Sequence, residues 1–138
     1  MSQANVEIVR SLAEGFQRRQ HEQAFDYYDP EIEWDSSRLD ALIPDIAGVY
    51  HGHQGVREYW RNWLSAWSDL EVEIQDVLDA GDDVVLLLRN QRQWGRHSGI
   101  TTELPPYGMV FTIRDGKVVR WRGYPDQESA LEAAGLSG

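Results

Sequence analysis

The chain has 138 residues, a formal net charge of −10 at pH 7 and no cysteine. This length suits one domain, so we predict a single domain over residues 1–138. The acidic balance opposes the phosphate contacts that supply most nucleic-acid affinity, and the lack of cysteine excludes disulfides, thiolate metal sites and a cysteine nucleophile. We also expect no membrane partner and a cytoplasmic location, because the longest apolar run, Val84–Leu88, is too short to span a bilayer and no signal peptide opens the chain.

The N-terminal part of the chain predicts two helices and then a strand. Apolar residues from Val6 to Phe16 recur at helical spacing, which predicts an amphipathic helix. A shorter helix over Gln23–Tyr28 is expected to stop before Pro30, whose ring disfavours helical backbone at the residue before it. The alternation of apolar and polar residues over Glu31–Ser36 predicts the first strand.

The middle of the chain combines an irregular apolar segment with a well-defined helix. Residues Ser37 to Val49 carry several apolar side chains without periodicity, and a partly apolar connection of that length is often a lid. We predict that it covers the mouth of a pocket. From Val56 to Trp67 the apolar residues recur at spacings of three and four, which predicts a helix with a broad apolar stripe.

The second half of the chain predicts strands and a short closing helix. The dipeptide Asp115-Gly116 is typical of a tight turn between two strands. Helices followed by an antiparallel meander indicate the α+β class. The predicted strands are Leu70–Leu78, Val84–Trp94, Tyr107–Arg114 and Lys117–Tyr124, and the predicted helix is Gln127–Ala134.

Four motifs in this order resemble bacterial SnoaL-like proteins of the nuclear transport factor 2-like superfamily. They are Asp29–Trp34, Gly48–Trp60, Ile113–Arg120 and Ala130–Leu136. The resemblance implies a cone-shaped, curved antiparallel sheet wrapped around the N-terminal helices, with a pocket for a small molecule, and it implies a homodimer. The superfamily includes ketosteroid isomerases, polyketide cyclases, limonene-epoxide-hydrolase-like enzymes and many non-catalytic binding proteins, so the fold alone selects no function.

The resemblance also implies where an isomerase-type base and its hydrogen-bond donors would stand. In the relatives the base is a carboxylate near the end of the first strand, on the pocket side. Alternation puts Trp34 and Ser36 on that side and Asp35 on the other. Asp35 is our candidate catalytic base only if a bulge turns it inward; otherwise it is a solvent carboxylate. The donor positions match Leu12 and Met109, which cannot serve as donors, so the isomerase mechanism does not carry over.

A set of aromatic and polar residues forms the predicted ligand site. Arg92 would hold an oxygen of the ligand if it shares an inward face with Trp94, and would otherwise pair outward with the excess acid. His51 and His53 have no third ligand nearby in sequence, so we predict no metal, and we expect no cofactor. The candidate ligand-binding residues are Tyr28, Trp34, Ser36, Trp60, Trp63, Arg92, Met109 and Trp121.

Two functions remain open from the sequence. The first is binding of a small apolar, ring-containing metabolite, with or without cofactor-independent isomerase, cyclase or hydrolase chemistry. An enzyme of this kind would need Asp35, Asp40 or Asp45 as its base. The alternative is a non-catalytic module for dimerisation or partner binding. The two differ in whether an ionisable group lies inside the cone.

Overall fold

A computed structural model describes residues 3–18 and 22–136 of the chain. Over these residues it contains three α-helices, two 3₁₀ helices and seven strands. The helices are α1 (Gln3–Gln17), α2 (Gly52–Ala66) and α3 (Gln127–Ala133), and the 3₁₀ helices cover Glu22–Tyr27 and Ser37–Leu39. The strands are β1 (Tyr28–Asp35), β2 (Val49–His51), β3 (Trp67–Ala80), β4 (Asp83–Gly95), β5 (Thr101–Leu104), β6 (Tyr107–Arg114) and β7 (Lys117–Tyr124).

The apolar stripes of the two long helices are buried as the spacing predicts. In α1 the buried residues include Val9, Leu12 and Phe16, and in α2 they include Val56 and Trp63. Such spacing places one face of each helix on the core. Neither helix, nor any other among the described residues, is long and apolar enough to cross a membrane.

The seven strands form one curled sheet in the order β2-β1-β7-β6-β4-β3, with β5 added to β4. The α+β prediction is confirmed, with one difference in the sheet. Strand β1 pairs with β7 in parallel, whereas every other pair is antiparallel. Parallel neighbours need a long connection, and most of the chain, including α2, lies between these two strands.

A bulge in β4 changes which residues of that strand face the core. Glu73 pairs with Asn90 while the next residue of β3, Ile74, pairs with Leu88, so Arg89 is an extra residue in β4. One extra residue reverses the alternation of side chains along a strand. Beyond the bulge, Gln91 therefore faces the same side as Leu88, although the two are an odd number of positions apart.

The segment predicted as a lid folds back onto the sheet. Its side chains Leu39, Ile43 and Ile46 are buried in the main core. Gly123 of β7 allows this approach, because a Cβ at that position would lie 2.7 Å from Leu39 Cδ1. The segment thus joins the concave side of the sheet.

The short helix α3 covers part of the opposite, convex face. The Asp126 carboxylate caps its N-terminus by accepting a hydrogen bond from the Ser129 backbone N–H at 2.7 Å. Ala130 packs in a second apolar cluster with Val85, Leu87, Val110 and Tyr124. The two faces of the sheet therefore have separate cores.

Candidate functional site

A cavity lies between the concave face of the sheet and the helices α1 and α2. The cavity volume is about 40 Å³, within about 550 Å³ of unfilled space that includes the open mouth. The space is therefore narrow, with opposing walls close together. Its wall consists of Ala13, Phe16, Trp34, Leu39, Tyr59, Trp60, Trp63, Leu70, Val72, Ile74, Leu86, Leu88, Gln91, Tyr107, Met109 and Trp121.

Stacked and edge-on aromatic rings form one side of this cavity. Trp34 and Trp121 are opposite each other on neighbouring strands, and their rings stack with centroids 4.2 Å apart and planes 12° from parallel. Tyr59 of α2 lies 5.6 Å from Trp34, and Trp60 lies 5.1 Å from Tyr59 at a steep angle. Aromatic rings arranged in this way present large flat apolar surfaces.

A chain of three neutral polar side chains, which we call the inner chain, runs along the other side. The Tyr107 hydroxyl donates to Gln91 Oε1, and Gln91 Nε2 donates to Gln93 Oε1 at 2.9 Å. Gln93 is completely buried, and its Nε2 has no hydrogen-bond partner among the described residues. The inner chain is thus satisfied at one end and unsatisfied at the other.

The titratable groups on the cavity wall are both phenols. Burial raises the pKa of Tyr59, with a further contribution from Tyr50 and a small opposing one from the Trp34 indole. Burial, and then the neighbouring Tyr59, raise the pKa of Tyr107 as well. Because a raised phenol pKa means a protonated hydroxyl, both groups are uncharged near neutral pH. Among the described residues, no carboxylate, histidine, lysine or arginine lies on this wall.

Five of the eight candidate ligand-binding residues lie on the cavity wall. They are Trp34, Trp60, Trp63, Met109 and Trp121.

The other three candidates lie elsewhere. Tyr28 is buried against Trp34 at a ring distance of 5.6 Å, outside the wall. Ser36 Oγ donates to the Gly48 carbonyl and accepts from the Gly48 N–H, both at 3.1 Å, so this hydroxyl holds the two ends of the lid segment together.

Arg92 points away from the cavity because of the bulge in β4. Its guanidinium lies 3.2 Å from Glu103 and 3.9 Å from Glu71, on a side chain that is 42% exposed. Arg92 shares no inward face with Trp94, since the inward positions beyond the bulge belong to Gln91 and Gln93. The structure therefore places Arg92 in outward ion pairs.

Asp35 is buried but does not line the cavity. Its register partner on β7 is Arg122, directly after the pair of Trp34 and Trp121, so β1 has no bulge at this point. Asp35 accepts hydrogen bonds from the Ser37 N–H at 3.0 Å, the Ser37 hydroxyl at 2.6 Å and Arg38 at 3.0 Å. We call Asp35, Ser37 and Arg38 the outer cluster.

The hydrogen bonds of the outer cluster determine its charge. Burial by itself would raise the pKa of Asp35, but the two bonds from Ser37 and the Arg38 guanidinium outweigh it and hold that pKa below its usual value. Asp35 is therefore an ionised carboxylate with a protein donor on each of its two oxygens. Asp40 and Asp45, the other candidate bases, are exposed, so none of the three lies on the cavity wall.

Of the two histidines beside Gly52, His51 is exposed at the end of β2 and His53 makes structural contacts. His53 Nε2 lies 2.9 Å from the Tyr28 carbonyl oxygen, and its ring packs edge-on against Phe25 at 5.2 Å. Over residues 3–18 and 22–136, no three side chains of the metal-binding types lie close enough together to hold an ion.

The family of the chain follows from its sequence and matches this geometry. The model of the SnoaL-like domain matches residues 9–121. The chain belongs to the SnoaL-like domain family. No curated protein matches it in sequence.

Solved structures share the fold of this SnoaL-like domain at low sequence identity. A nuclear transport factor 2-like protein from Burkholderia pseudomallei has a TM-score of 0.77 at 21% identity, over 94% of this chain and 95% of that one. TerC, co-crystallised with polyporic acid, has a TM-score of 0.76 at 21% identity, over 95% and 97%. A protein with a ketosteroid isomerase-like fold from Catenulispora acidiphila, in complex with trimethylamine, has a TM-score of 0.70 at 15% identity, over 94% and 93%.

The sequence of this SnoaL-like domain gave little sign of Gln91 as a wall residue. Along β4, Gln91 and Gln93 alternate with Arg92 and Trp94. If side chains alternated without interruption from Leu88 onwards, Arg92 and Trp94 would point inward. One signal existed in the pair Pro105-Pro106, because proline cannot donate to a strand ladder. The ladder beside β4 indeed breaks there, between β5 and β6.

Proposed function

We propose that this SnoaL-like domain binds a small, flat, uncharged ring compound in the cavity and serves as a binding protein, not as an acid–base catalyst. The single observation that carries the proposal is the composition of the cavity wall, which is aromatic and aliphatic apart from neutral phenol, indole and amide groups. Apolar cavities with a few polar groups are the usual form of a small-molecule site.

The shape of the cavity favours a flat ligand. The rings of Trp34, Trp121 and Tyr59 offer their faces and edges within a narrow space. A planar ring compound can contact such surfaces closely, whereas a bulky one would have to separate buried side chains.

The charge state of the wall favours binding without acid–base chemistry. A general base must lie within hydrogen-bond reach of the substrate and have a pKa near the working pH. The ionisable wall groups, Tyr59 and Tyr107, have pKa values raised by burial, away from neutrality. Asp35 is bound to Ser37 and Arg38 outside the wall.

Similar structures support a small-molecule role for this fold. TerC was crystallised with polyporic acid, and the protein from Catenulispora acidiphila is in complex with trimethylamine. These ligands belong to those proteins. They support the binding role without identifying a ligand for this one.

The alternative of a partner-binding module has less support on the described surface. The large hydrophobic residues exposed there are Val49, Leu64, Ile100 and Leu136, which come from four separate segments. Single exposed hydrophobic residues are normal on soluble proteins and do not form a docking patch. The homodimer and the cytoplasmic location stay predictions.

The tryptophans of the chain provide a direct test of binding. Trp34, Trp60, Trp63 and Trp121 line the cavity, while Trp94 does not. Naphthalene, added to ¹⁵N-labelled protein, should shift the indole N–H signals of the four wall tryptophans and leave that of Trp94 in place. Unchanged wall signals at saturating naphthalene, or shifts confined to Trp94, would refute the proposal.

A pair of variants controls for adsorption elsewhere. Ala13 is buried on the wall, so Ala13→Leu fills cavity space; Ala133 is exposed on α3, so Ala133→Leu adds the same atoms outside. We expect Ala13→Leu to weaken naphthalene binding about tenfold or more and Ala133→Leu to leave it unchanged. Equal effects of the two variants would place the probe outside the cavity.

A further inference from the structure

We propose that Gln91 and Tyr107 recognise an uncharged carbonyl oxygen of the bound ring compound, and that Gln93 is a positioning residue that holds the Gln91 amide. The inference rests on the proposed binding function and specifies its ligand class: flat ring ketones and related neutral carbonyl compounds.

A count of donors and acceptors in the inner chain leads to this inference. Gln91 Oε1 accepts from Tyr107, and one of the two N–H groups on Gln91 Nε2 goes to Gln93. No protein partner for the second N–H of Gln91 is found among the described residues. Gln91 lines the cavity, so a ligand oxygen placed beside it would receive this N–H.

The wall offers a hydrogen-bond donor whichever way the hydrogen bonds of the inner chain run. If both amides turn over, Gln93 Nε2 donates to Gln91 Oε1 and Gln91 Nε2 donates to the Tyr107 oxygen. The Tyr107 hydroxyl then has its own proton free for the ligand. Either direction offers a donor from a wall residue, and a carbonyl oxygen satisfies both.

The surroundings select an uncharged oxygen. Elements α1, α2, β1, β3, β4, β6, β7 and the lid segment all contribute to the wall, and each contributes neutral groups only. The titratable ones are the protonated phenols Tyr59 and Tyr107. Burial of a carboxylate without a cation is strongly unfavourable, whereas a ketone needs only a hydrogen bond.

Gln93 acts on the ligand through Gln91. It is opposite Leu70 of β3, just as Gln91 is opposite Val72, and both of these β3 residues lie on the wall. Gln93 therefore shares the inward face without lining the cavity. Its Oε1 is the acceptor that fixes the Gln91 amide, and without it the amide of Gln91 can rotate away from a ligand.

Two probes of nearly equal shape test the inference. Indane and 1-indanone differ by one carbonyl oxygen, and their dissociation constants can be measured by titration calorimetry or by competition with naphthalene. We expect the wild-type protein to bind 1-indanone about five- to tenfold more tightly than indane, the range of one net hydrogen bond. Indane-1-carboxylate should bind more weakly than either.

Substitutions separate recognition from positioning. Gln93→Met should reduce the 1-indanone preference to about twofold or less while the affinity for indane holds, and Gln91→Met should remove the preference. Gln75→Met is the matched control, because Gln75 is exposed on β3, and it should keep the wild-type ratio. If Gln93→Met keeps that ratio, the positioning role of Gln93 is wrong.

The carbonyl stretch of bound 1-indanone adds a readout that does not depend on variants. Hydrogen bonding should lower its infrared frequency in the wild-type protein, and Gln93→Met should move it back towards the value in an apolar solvent. Binding of indane and 1-indanone with equal affinity would overturn the inference and leave the proposed function intact. Binding of neither would overturn the proposed function itself.

Discussion

The outer cluster and the inner chain are two polar groups of three residues each, on opposite faces of one sheet, and they differ in exposure, charge and hydrogen bonding. Ser37 and Arg38 of the outer cluster are exposed, whereas all three side chains of the inner chain are buried. In the outer cluster, the Asp35 carboxylate accepts bonds from Ser37 and Arg38. In the inner chain, the Gln93 amide nitrogen has no partner among the described residues. The outer cluster is charged and has a donor on each carboxylate oxygen, whereas the inner chain is neutral and has an amide nitrogen without such a partner.

This difference separates a structural polar group from a binding group. A buried carboxylate invites a catalytic interpretation, yet both oxygens of Asp35 accept bonds from protein donors and the residue lies outside the cavity wall. Buried polar groups are normally satisfied, so an unsatisfied neutral group beside a cavity is the stronger indication of a site. The inner chain, with Gln91 and Tyr107 on the wall, fits that description.

The largest loss of stability is expected on the side of the cavity opposite the inner chain, where the aromatic rings lie. Trp34 is fully buried, so Trp34→Ala should lower the free energy of unfolding by about 3–5 kcal/mol in urea titrations. Trp94→Ala, at a half-buried position outside the wall, should lower it by less than half as much. Equal losses of unfolding free energy in the two variants would mean that Trp34 on the wall stabilises the protein no more than a half-buried tryptophan outside it.

A smaller effect is expected from the outer cluster. Asp35→Asn removes the ionised acceptor of Ser37 and Arg38 and should lower the free energy of unfolding by about 1–2 kcal/mol at pH 7. Ligand binding should not change. Asp40→Asn, at an exposed position, is the control and should stay within about 0.5 kcal/mol of wild type. A loss of naphthalene or 1-indanone binding in Asp35→Asn, but not in Asp40→Asn, would show that Asp35 takes part in ligand binding.

The pH dependence of the Asp35 effect has a defined sign. The pKa of Asp35 is lowered in the folded protein, so its contribution to stability is present above the unfolded pKa of about 4. It is lost as pH falls through the folded pKa. The gap in unfolding free energy between wild type and Asp35→Asn should therefore close on acidification below about pH 4, and a gap that widens there would contradict the assignment.

The smallest effect on stability is expected from removing the whole inner chain. In the triple variant Tyr107→Phe, Gln91→Met, Gln93→Met all its polar groups are replaced together by apolar ones, which leaves no orphaned partner within it. Its free energy of unfolding should lie within about 1 kcal/mol of wild type, while the 1-indanone preference disappears. A decrease of 3 kcal/mol or more in the free energy of unfolding would show that the inner chain stabilises the fold instead.

Much of the fold could be predicted because its signals are local. Helical spacing in α1 and α2 indicated their buried faces, and the turn at Asp115-Gly116 bounded β6 and β7 correctly. The short strands β2 and β5 were missed, since runs of three and four residues carry too little alternation. The parallel pairing of β1 with β7 joins distant parts of the chain, and no local pattern encodes it.

The residues of the candidate site likewise could be predicted where local alternation decides their direction, and not where strand pairing does. Simple alternation predicts Trp34 and Trp121 as inward residues, and the structure has both on the cavity wall. It fails for Gln91 and Arg92, because the bulge at Arg89 is a property of strand pairing and not of the strand's own sequence.

The bulge at Arg89 also determines which changes of chain length this cavity could survive during evolution. Loss of the Arg89 codon would remove the extra residue, so Leu88, Asn90 and Gln91 would alternate regularly inward, outward and inward. Gln91 and Gln93 would stay on the inward face and Arg92 on the outward face. A single deletion at this point would therefore leave the wall neutral, whereas loss of the Arg92 codon would turn Gln93 outward and Trp94 inward.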